Sequence, residues 1–242
     1  MAYRYSRGWR LFTIGLLRPP LFLLLRRNWR GQEKIPRTGG VILACNHISE
    51  VDPFAIAHYV YKADRYPVFL AKEAVFRIPV LGRIVGWVGE IPVLRGSSDA
   101  SRAFDGAREA LDAGQCVIFY PEGTCTRDPE LWPMVAKTGV ARLALETGAP
   151  VIPVANWGAQ ELLRYGSSKV NLFPRKVMNI AAGDPVDLTA HSGPEPDADT
   201  LRAATEAIMR SISALLGELR GQTPPKEIYD PQKTAVEERK QS

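Results

Sequence analysis

Cysteine and histidine are scarce in this chain of 242 residues, at three each. Cys45, Cys116 and Cys125 show no Cys-x-x-Cys or zinc-site spacing, and three thiols do not make a disulfide framework, so a reduced, cytosol-facing protein is expected. No Gly-x-Ser-x-Gly element is present, which argues against the nucleophile elbow of a serine hydrolase. Neither Gly-x-Gly-x-x-Gly nor a phosphate loop ending Gly-Lys-Ser/Thr occurs, which removes the simplest nucleotide-cofactor readings. No uninterrupted apolar stretch approaches the roughly 20 residues that a spanning helix needs. A broad basic face is missing too. The net charge is +5, but residues 1–37 hold nine basic side chains and one acid, so the remainder of the chain is net acidic. A nucleic-acid binder would more often spread its cations over the folded domain, and no nucleic-acid partner is expected.

What the chain does have is a core. Hydrophobic residues are 45% of the sequence, enough to exclude general disorder and to build one sizeable domain. Apolar runs of strand length recur at 41–45, 68–71, 91–94, 116–120, 151–155 and 177–181. Between several of them lie helical patterns, at 53–61, 100–113 and 135–147, and a terminal one at 200–220. Continuously apolar strands alternating with helices predict an α/β fold: a single domain with a mostly parallel central sheet flanked by helices. The expected boundaries are an anchoring segment at 1–30, the domain at 31–220 after which packing ends, and a flexible polar tail at 221–242.

The first segment is oily between its arginines: Trp9, Leu11, Phe12, Ile14, Leu16 and Leu17, then Leu21 to Leu25. Arg18 and Pro19-Pro20 divide it, and Arg26-Arg27 close it with no small-residue cleavage site beyond, unlike a secretory signal. Two short apolar helices edged with arginine suit the headgroup boundary of an anionic membrane. The expectation is an N-terminal amphipathic, membrane-associating helical segment and a peripheral, monotopic protein on the cytoplasmic face of the cell membrane. The alternative is a helix docked on the protein's own core.

Two strings carry the chemistry. Asn46-His47-Ile48-Ser49-Glu50-Val51-Asp52 follows the first apolar run, and Tyr120-Pro121-Glu122-Gly123-Thr124 ends the fourth. A carboxylate that holds an imidazole tautomer and stabilises its cation makes a general base. Parallel sheets place their ligand crevice at the carboxyl ends of the strands, which puts His47 and Glu122 in one site. His-x4-Asp alone is a short motif that chance supplies, and Asp52-Pro53 also suits a helix N-cap followed by a first-turn proline. Lys72 and Arg95 each follow an apolar run, and Lys137 is a further candidate cation. Cys45 lies within an apolar run and reads as a small hydrophobe. His58 and His191 have no motif around them.

Taken in order, these strings resemble the glycerolipid acyltransferase family, the 1-acylglycerol-3-phosphate acyltransferases. The family's Asn-His-x4-Asp matches Asn46, His47 and Asp52; its second element resembles the stretch from Gly89 to Arg95; its Phe-Pro-Glu-Gly-Thr matches residues 120–124; and its Val-Pro-Val-like element matches residues 151–154. The likeness covers about residues 30–185. The third motif departs from the family, which continues Glu-Gly-Thr-Arg-Ser, because Cys125 follows Thr124 and the nearest arginine is Arg127.

The resemblance implies acyl transfer from a thioester, acyl-CoA, to the free hydroxyl of 1-acylglycerol 3-phosphate. A thioester is already activated, so neither metal nor cofactor is expected. His47 would be the base and Asp52 its orienter. Asn46, Lys72, Arg95, Glu122, Gly123, Thr124 and Arg127 would bind substrate, with Arg95 on the acceptor phosphate. The implied partners are the membrane lipid acceptor, acyl-CoA and an anionic membrane surface. Other acceptors (glycerol 3-phosphate, another lysophospholipid, a glycolipid) remain open, as do a thioesterase and a catalytically silent lipid binder.

Overall fold

The computed structural model describes residues 5–72, 77, 83, 89–93, 97–191, 193 and 196–234. Each of the six apolar runs forms a strand: β2 (Val41–Cys45), β3 (Pro67–Lys72), β4 (Ile91–Val93), β5 (Cys116–Phe119), β6 (Val151–Trp157) and β7 (Lys176–Ala182). With β1 (Leu25–Arg30) they make a seven-stranded sheet of order β1-β7-β6-β2-β5-β3-β4. The pairs from β6 through β2, β5 and β3 to β4 are parallel. β7 returns antiparallel to β6, and β1 runs parallel to β7. The chain therefore has the expected mostly parallel sheet, with a reversed pair at one edge.

Helices cover both faces: α1 (Arg7–Leu24), α2 (Asp52–Lys62), α3 (Ser97–Asp112), α4 (Gly139–Thr147), α5 (Ala159–Leu162) and α6 (Ala198–Arg220). The central strand β2 is buried at all five positions, and strand alternation sends its side chains to two separate cores. Ile42 and Ala44 face the layer of α3, α4 and α6, against Ala107, Leu143, Ile208 and Ile212. Val41, Leu43 and Cys45 face the layer of α1, α2 and α5, against Ile56, Tyr59 and Met178. This two-sided burial is why the strand reads as an unbroken apolar run.

Several expectations need correction. The proline pair does not divide the first segment: α1 runs through Pro19 and Pro20. The lost N–H groups leave the carbonyls of Gly15 and Leu16, both on exposed residues, to water. The segment expected at 1–30 is not helical throughout, because residues 25–30 form an edge strand. In Leu-Arg-Arg-Asn-Trp-Arg only Leu25 is fully buried and Trp29 partly so, so no apolar alternation announced β1. Its exposed arginines suit a sheet edge, where charge discourages further pairing. α4 begins at Gly139, not 135: Val135 and Lys137 belong to the loop before it, where their N–H groups donate to Tyr229 O and Pro121 O. Finally, residues 221–234 are not a loose tail: Tyr229 forms a bridge with Met134, and Ile228 packs on the core.

α1 is held on the domain by Leu21 and Leu24, which pack on the core, and by the buried Arg10. The Arg10 guanidinium sits 3.9 Å from the centre of the Tyr66 ring and donates to Gln115 Oε1 at 2.8 Å. Leu11, Phe12, Leu16, Phe22 and Leu23 remain exposed. Among the described residues no helix is long and apolar enough to cross a membrane.

Candidate active site

The carboxyl ends of β2, β5 and β6 meet at one edge of the sheet, and His47 stands just past the end of β2. Its Nδ1 is 2.8 Å from Asp52 Oδ2. The same oxygen accepts from the backbone N–H of Ile48 at 2.7 Å and of Ser49 at 2.9 Å. Asp52 does not cap its own helix as expected: Val51 is the cap residue, with no side-chain bond, and Asp52 opens the first turn. Its carboxylate turns back toward the preceding loop because the N–H groups and imidazole there converge on it. The aspartate is fully buried, whereas the imidazole is 17% exposed. Burial pushes the Asp52 carboxyl above the ordinary carboxylate range, while the His47 hydrogen bond and charge and the two N–H groups pull it back. With Nδ1–H directed at Asp52, Nε2 is the nitrogen left to accept a proton.

Glu122 fastens the second motif to the first. Its Oε1 accepts from the backbone N–H of His47 at 3.1 Å, and its Oε2 from that of Met134 at 3.1 Å. The side chain is buried, which pushes its carboxyl up to about 8 against the pull of those two donors. Glu122, expected at the substrate, is thus a brace between two loops. Asn46 is another. Its Oδ1 accepts from Asn156 N at 2.8 Å and its Nδ2 donates to Asn156 O at 3.1 Å. The Asn156 amide answers by donating to Asn46 O at 2.9 Å.

Two neighbours of the imidazole were not expected in the site. The Tyr120 ring stacks on it, with centroids 4.3 Å apart and planes 25° from parallel. The Cys125 sulfur lies 3.6 Å from both ring nitrogens, an equal spacing that sets it over the ring between them. Cys125 occupies the place where the family has arginine. Thr126 explains the inward turn: its N–H donates to His47 O at 2.7 Å and its hydroxyl to Trp132 O at 2.7 Å. Arg127, next in line, is turned out to an exposed position.

Of the remaining expected residues, Gly123 makes the turn after Glu122 with a φ of +70°, the left-handed region that glycine enters most readily. The Lys137 Nζ lies 3.6 Å from where a Cβ on Gly123 would stand, so this cation overhangs the turn, and Thr124 is half-buried beside it. Lys72 ends β3 as expected, but its side chain, and Arg95 altogether, lie outside the described residues. Among the described residues no three His, Cys, Asp or Glu side chains group as metal ligands. Asn156 was overlooked although it falls two residues beyond the Val-Ile-Pro-Val run, at the end of a strand that points at the site. Tyr120 and Cys125 stood inside the motifs, but no sequence pattern shows which way a ring or a sulfur faces.

A buried carboxylate orienting an imidazole at the carboxyl ends of parallel strands, braced by a second carboxylate from the next motif, has the geometry for acid–base chemistry. The family model described as Acyltransferase matches residues 26–157, and the chain belongs to that family. It is 26% identical over 171 residues to the chloroplastic 1-acyl-sn-glycerol-3-phosphate acyltransferase BAT2 of Brassica napus, an alignment covering 69% of this chain and 48% of that protein. It is 33% identical over 125 residues to the 1-acyl-sn-glycerol-3-phosphate acyltransferase of Borreliella burgdorferi, covering 51% of this chain and 48% of that one. The chain thus spans about half the length of these curated relatives. It shares its fold with the 1-acyl-sn-glycerophosphate (LPA) acyltransferase PlsC from Thermotoga maritima, at a TM-score of 0.63 and 24% identity, over 85% of this chain and 80% of that one.

Proposed function

We propose that this protein transfers a fatty acyl group from acyl-CoA to the free hydroxyl of 1-acylglycerol 3-phosphate, forming phosphatidic acid for phospholipid biosynthesis. The observation that carries this reading is the 2.8 Å contact between His47 Nδ1 and Asp52 Oδ2 in a chain whose relatives bear that activity in their names. His47 Nε2 takes the proton of the acceptor hydroxyl as its oxygen attacks the thioester carbonyl. Collapse of the tetrahedral intermediate forms the ester and expels the CoA thiolate, which takes the proton back from the imidazolium. Asp52 stabilises that imidazolium and keeps the ring turned.

The acceptor phosphate needs cations. Lys137, over the Gly123 turn, and Lys72 and Arg95, after their strands, are the proposed set, with Arg127 further out. The exposed apolar side chains of α1, with the exposed Arg7 and Arg18 on the helix and Arg26 and Arg27 just beyond it on β1, support a peripheral seat on the cytoplasmic face of an anionic membrane. One observation favours a second reading, acylation of another lysophospholipid or a glycolipid: Cys125 replaces the family arginine beside the base.

Product analysis decides between them. Purified protein is given radiolabelled palmitoyl-CoA with 1-acylglycerol 3-phosphate, glycerol 3-phosphate or lysophosphatidylinositol as separate acceptors, with His47→Ala alongside. Labelled phosphatidic acid from the wild type alone establishes the reading. Labelled product only with another acceptor shifts the reading to that acceptor, label in free fatty acid means a thioesterase, and no turnover by folded protein overturns it.

A further inference from the structure

Three stretches far apart in the sequence bring apolar side chains to the end of the sheet where His47 lies. α1 contributes Phe22 and Leu23, α2 contributes Phe54, and the loop between α5 and β7 contributes Tyr165, Val170, Leu172 and Phe173, all exposed. Phe173 is 74% exposed and stands among other exposed apolar side chains, the kind of grouping that marks an interaction surface. The loop is also charged with one sign. From Leu162 to Gly183 the chain carries Arg164, Lys169, Arg175 and Lys176 and no acidic residue.

The loop is joined to α1 and to the catalytic loop. Arg175 Nη2 donates to Phe22 O at 2.9 Å and Leu25 O at 3.0 Å. At the other end of the loop, Leu163 O accepts from the Ser49 hydroxyl at 2.5 Å, three residues from Asp52. A small apolar cleft of about 70 Å³ lies between these segments, lined among others by Leu21, Val51, Phe54 and Leu162. The loop's backbone is partly paired within itself, Ser167 N to Arg164 O and Asn171 N to Leu162 O, which lowers the cost of taking it out of water.

We infer that residues 164–175 form a second membrane-inserting element, with Phe173 and Leu172 entering the acyl boundary of the anionic bilayer on which α1 rests and Arg164, Lys169 and Arg175 at its headgroups. This rests on the membrane reading proposed above. Apolar tips ringed by basic residues, continuous with an arginine-edged apolar helix, match an anionic lipid surface in both chemistry and charge. Two attachment points fix the orientation of the domain, which one helix does not. With the catalytic loop hydrogen-bonded to the base of this element, the His47 imidazole is held at headgroup depth.

The test places an environment-sensitive nitrobenzoxadiazole label on Phe173→Cys in the full chain. The three native thiols are buried, so the label goes to position 173. A label on Arg202→Cys, exposed on α6 in the opposite layer, serves as reference. On adding phosphatidylglycerol-containing vesicles, emission at 173 should shift to the blue and rise severalfold while that at 202 stays constant. The pair Leu172→Ser/Phe173→Ser should weaken vesicle partitioning about tenfold, with the circular dichroism spectrum unchanged. If the wild type binds vesicles while the label at 173 stays water-like, the loop's role is overturned and the seat of α1 stands. If the wild type does not bind, the membrane reading falls first and this inference with it. A blue shift that depends on protein concentration without vesicles assigns the face to a second copy and overturns the lipid assignment.

Discussion

Glu122 accepts a hydrogen bond from the backbone N–H of His47 at 3.1 Å, across 75 residues of chain. The carboxylate of one motif therefore sets the position of the proposed base in the other. With Asp52 fixing the ring and Glu122 fixing the backbone, the base is held at two points, and each has its own test.

Replacing His47 with Ala removes the base and should lower turnover by about 10²–10⁴-fold with the fold intact. Asp52→Asn keeps the volume but loses the charge that favours the imidazolium, and should lower kcat by a similar factor with little change in the KM of either substrate. Steady-state kinetics with both substrates varied, beside circular dichroism, checks this. A turnover near that of the wild type in either variant removes the proposed base.

The buried Glu122 makes stability depend on pH. Its carboxyl is pushed from the ordinary 4.5 up to about 8, so between those values the folded protein holds a proton that the unfolded chain has released. The stability it contributes is full below about pH 4.5 and is lost as pH rises toward 8, with a slope of up to about 1.4 kcal/mol per pH unit. Denaturant melts between pH 5 and 8 should show this fall. Glu122→Gln should flatten it, at a cost of about 1–3 kcal/mol because one backbone N–H then faces an amide NH₂.

The Tyr120 hydroxyl is buried and has no hydrogen-bond partner among the described residues, while its ring stacks on His47. Tyr120→Phe keeps the stack and removes a desolvated hydroxyl, so stability should hold or rise by about 1 kcal/mol with activity kept. Loss of turnover in Tyr120→Phe, measured beside its melting temperature, would instead show that the hydroxyl meets the substrate.

Lys137 overhangs Gly123 and has no carboxylate partner among the described residues. Lys137→Met should raise the KM of a phosphate-bearing acceptor about tenfold and leave that of acyl-CoA within twofold, as loss of one charge-assisted hydrogen bond implies. Lys137→Arg should recover part of it. Equal effects on both substrates would remove the phosphate contact.

Much of this was legible in the chain. Val-Ile-Leu-Ala-Cys read as a doubly covered strand, and the six apolar runs announced six strands because parallel sheets bury both faces. His47, Asp52 and Glu122 were legible as a site because strand ends gather in one crevice. β1 was not legible: an edge strand with one buried face-forming residue carries no period, and its arginines resembled the headgroup-facing end of the segment before it. Nor was the stretch after α6, where Tyr229 pairs with Met134 and Ile228 packs on a core assembled from distant elements.

The sequence by itself determined the class of fold and picked out His47 and Asp52 as a pair, because periodicity and motif order are local properties of the chain. Only the tertiary structure decided what those residues do. Asn46 and Glu122 became braces because Asn156, His47 and Met134 bring backbone groups that must be satisfied within hydrogen-bond reach. Cys125 came over the imidazole and Arg127 went to solvent because Thr126 bonds to both His47 and Trp132. Long-range hydrogen bonds of that kind have no sequence period, and they fix which side chain of a loop faces inward.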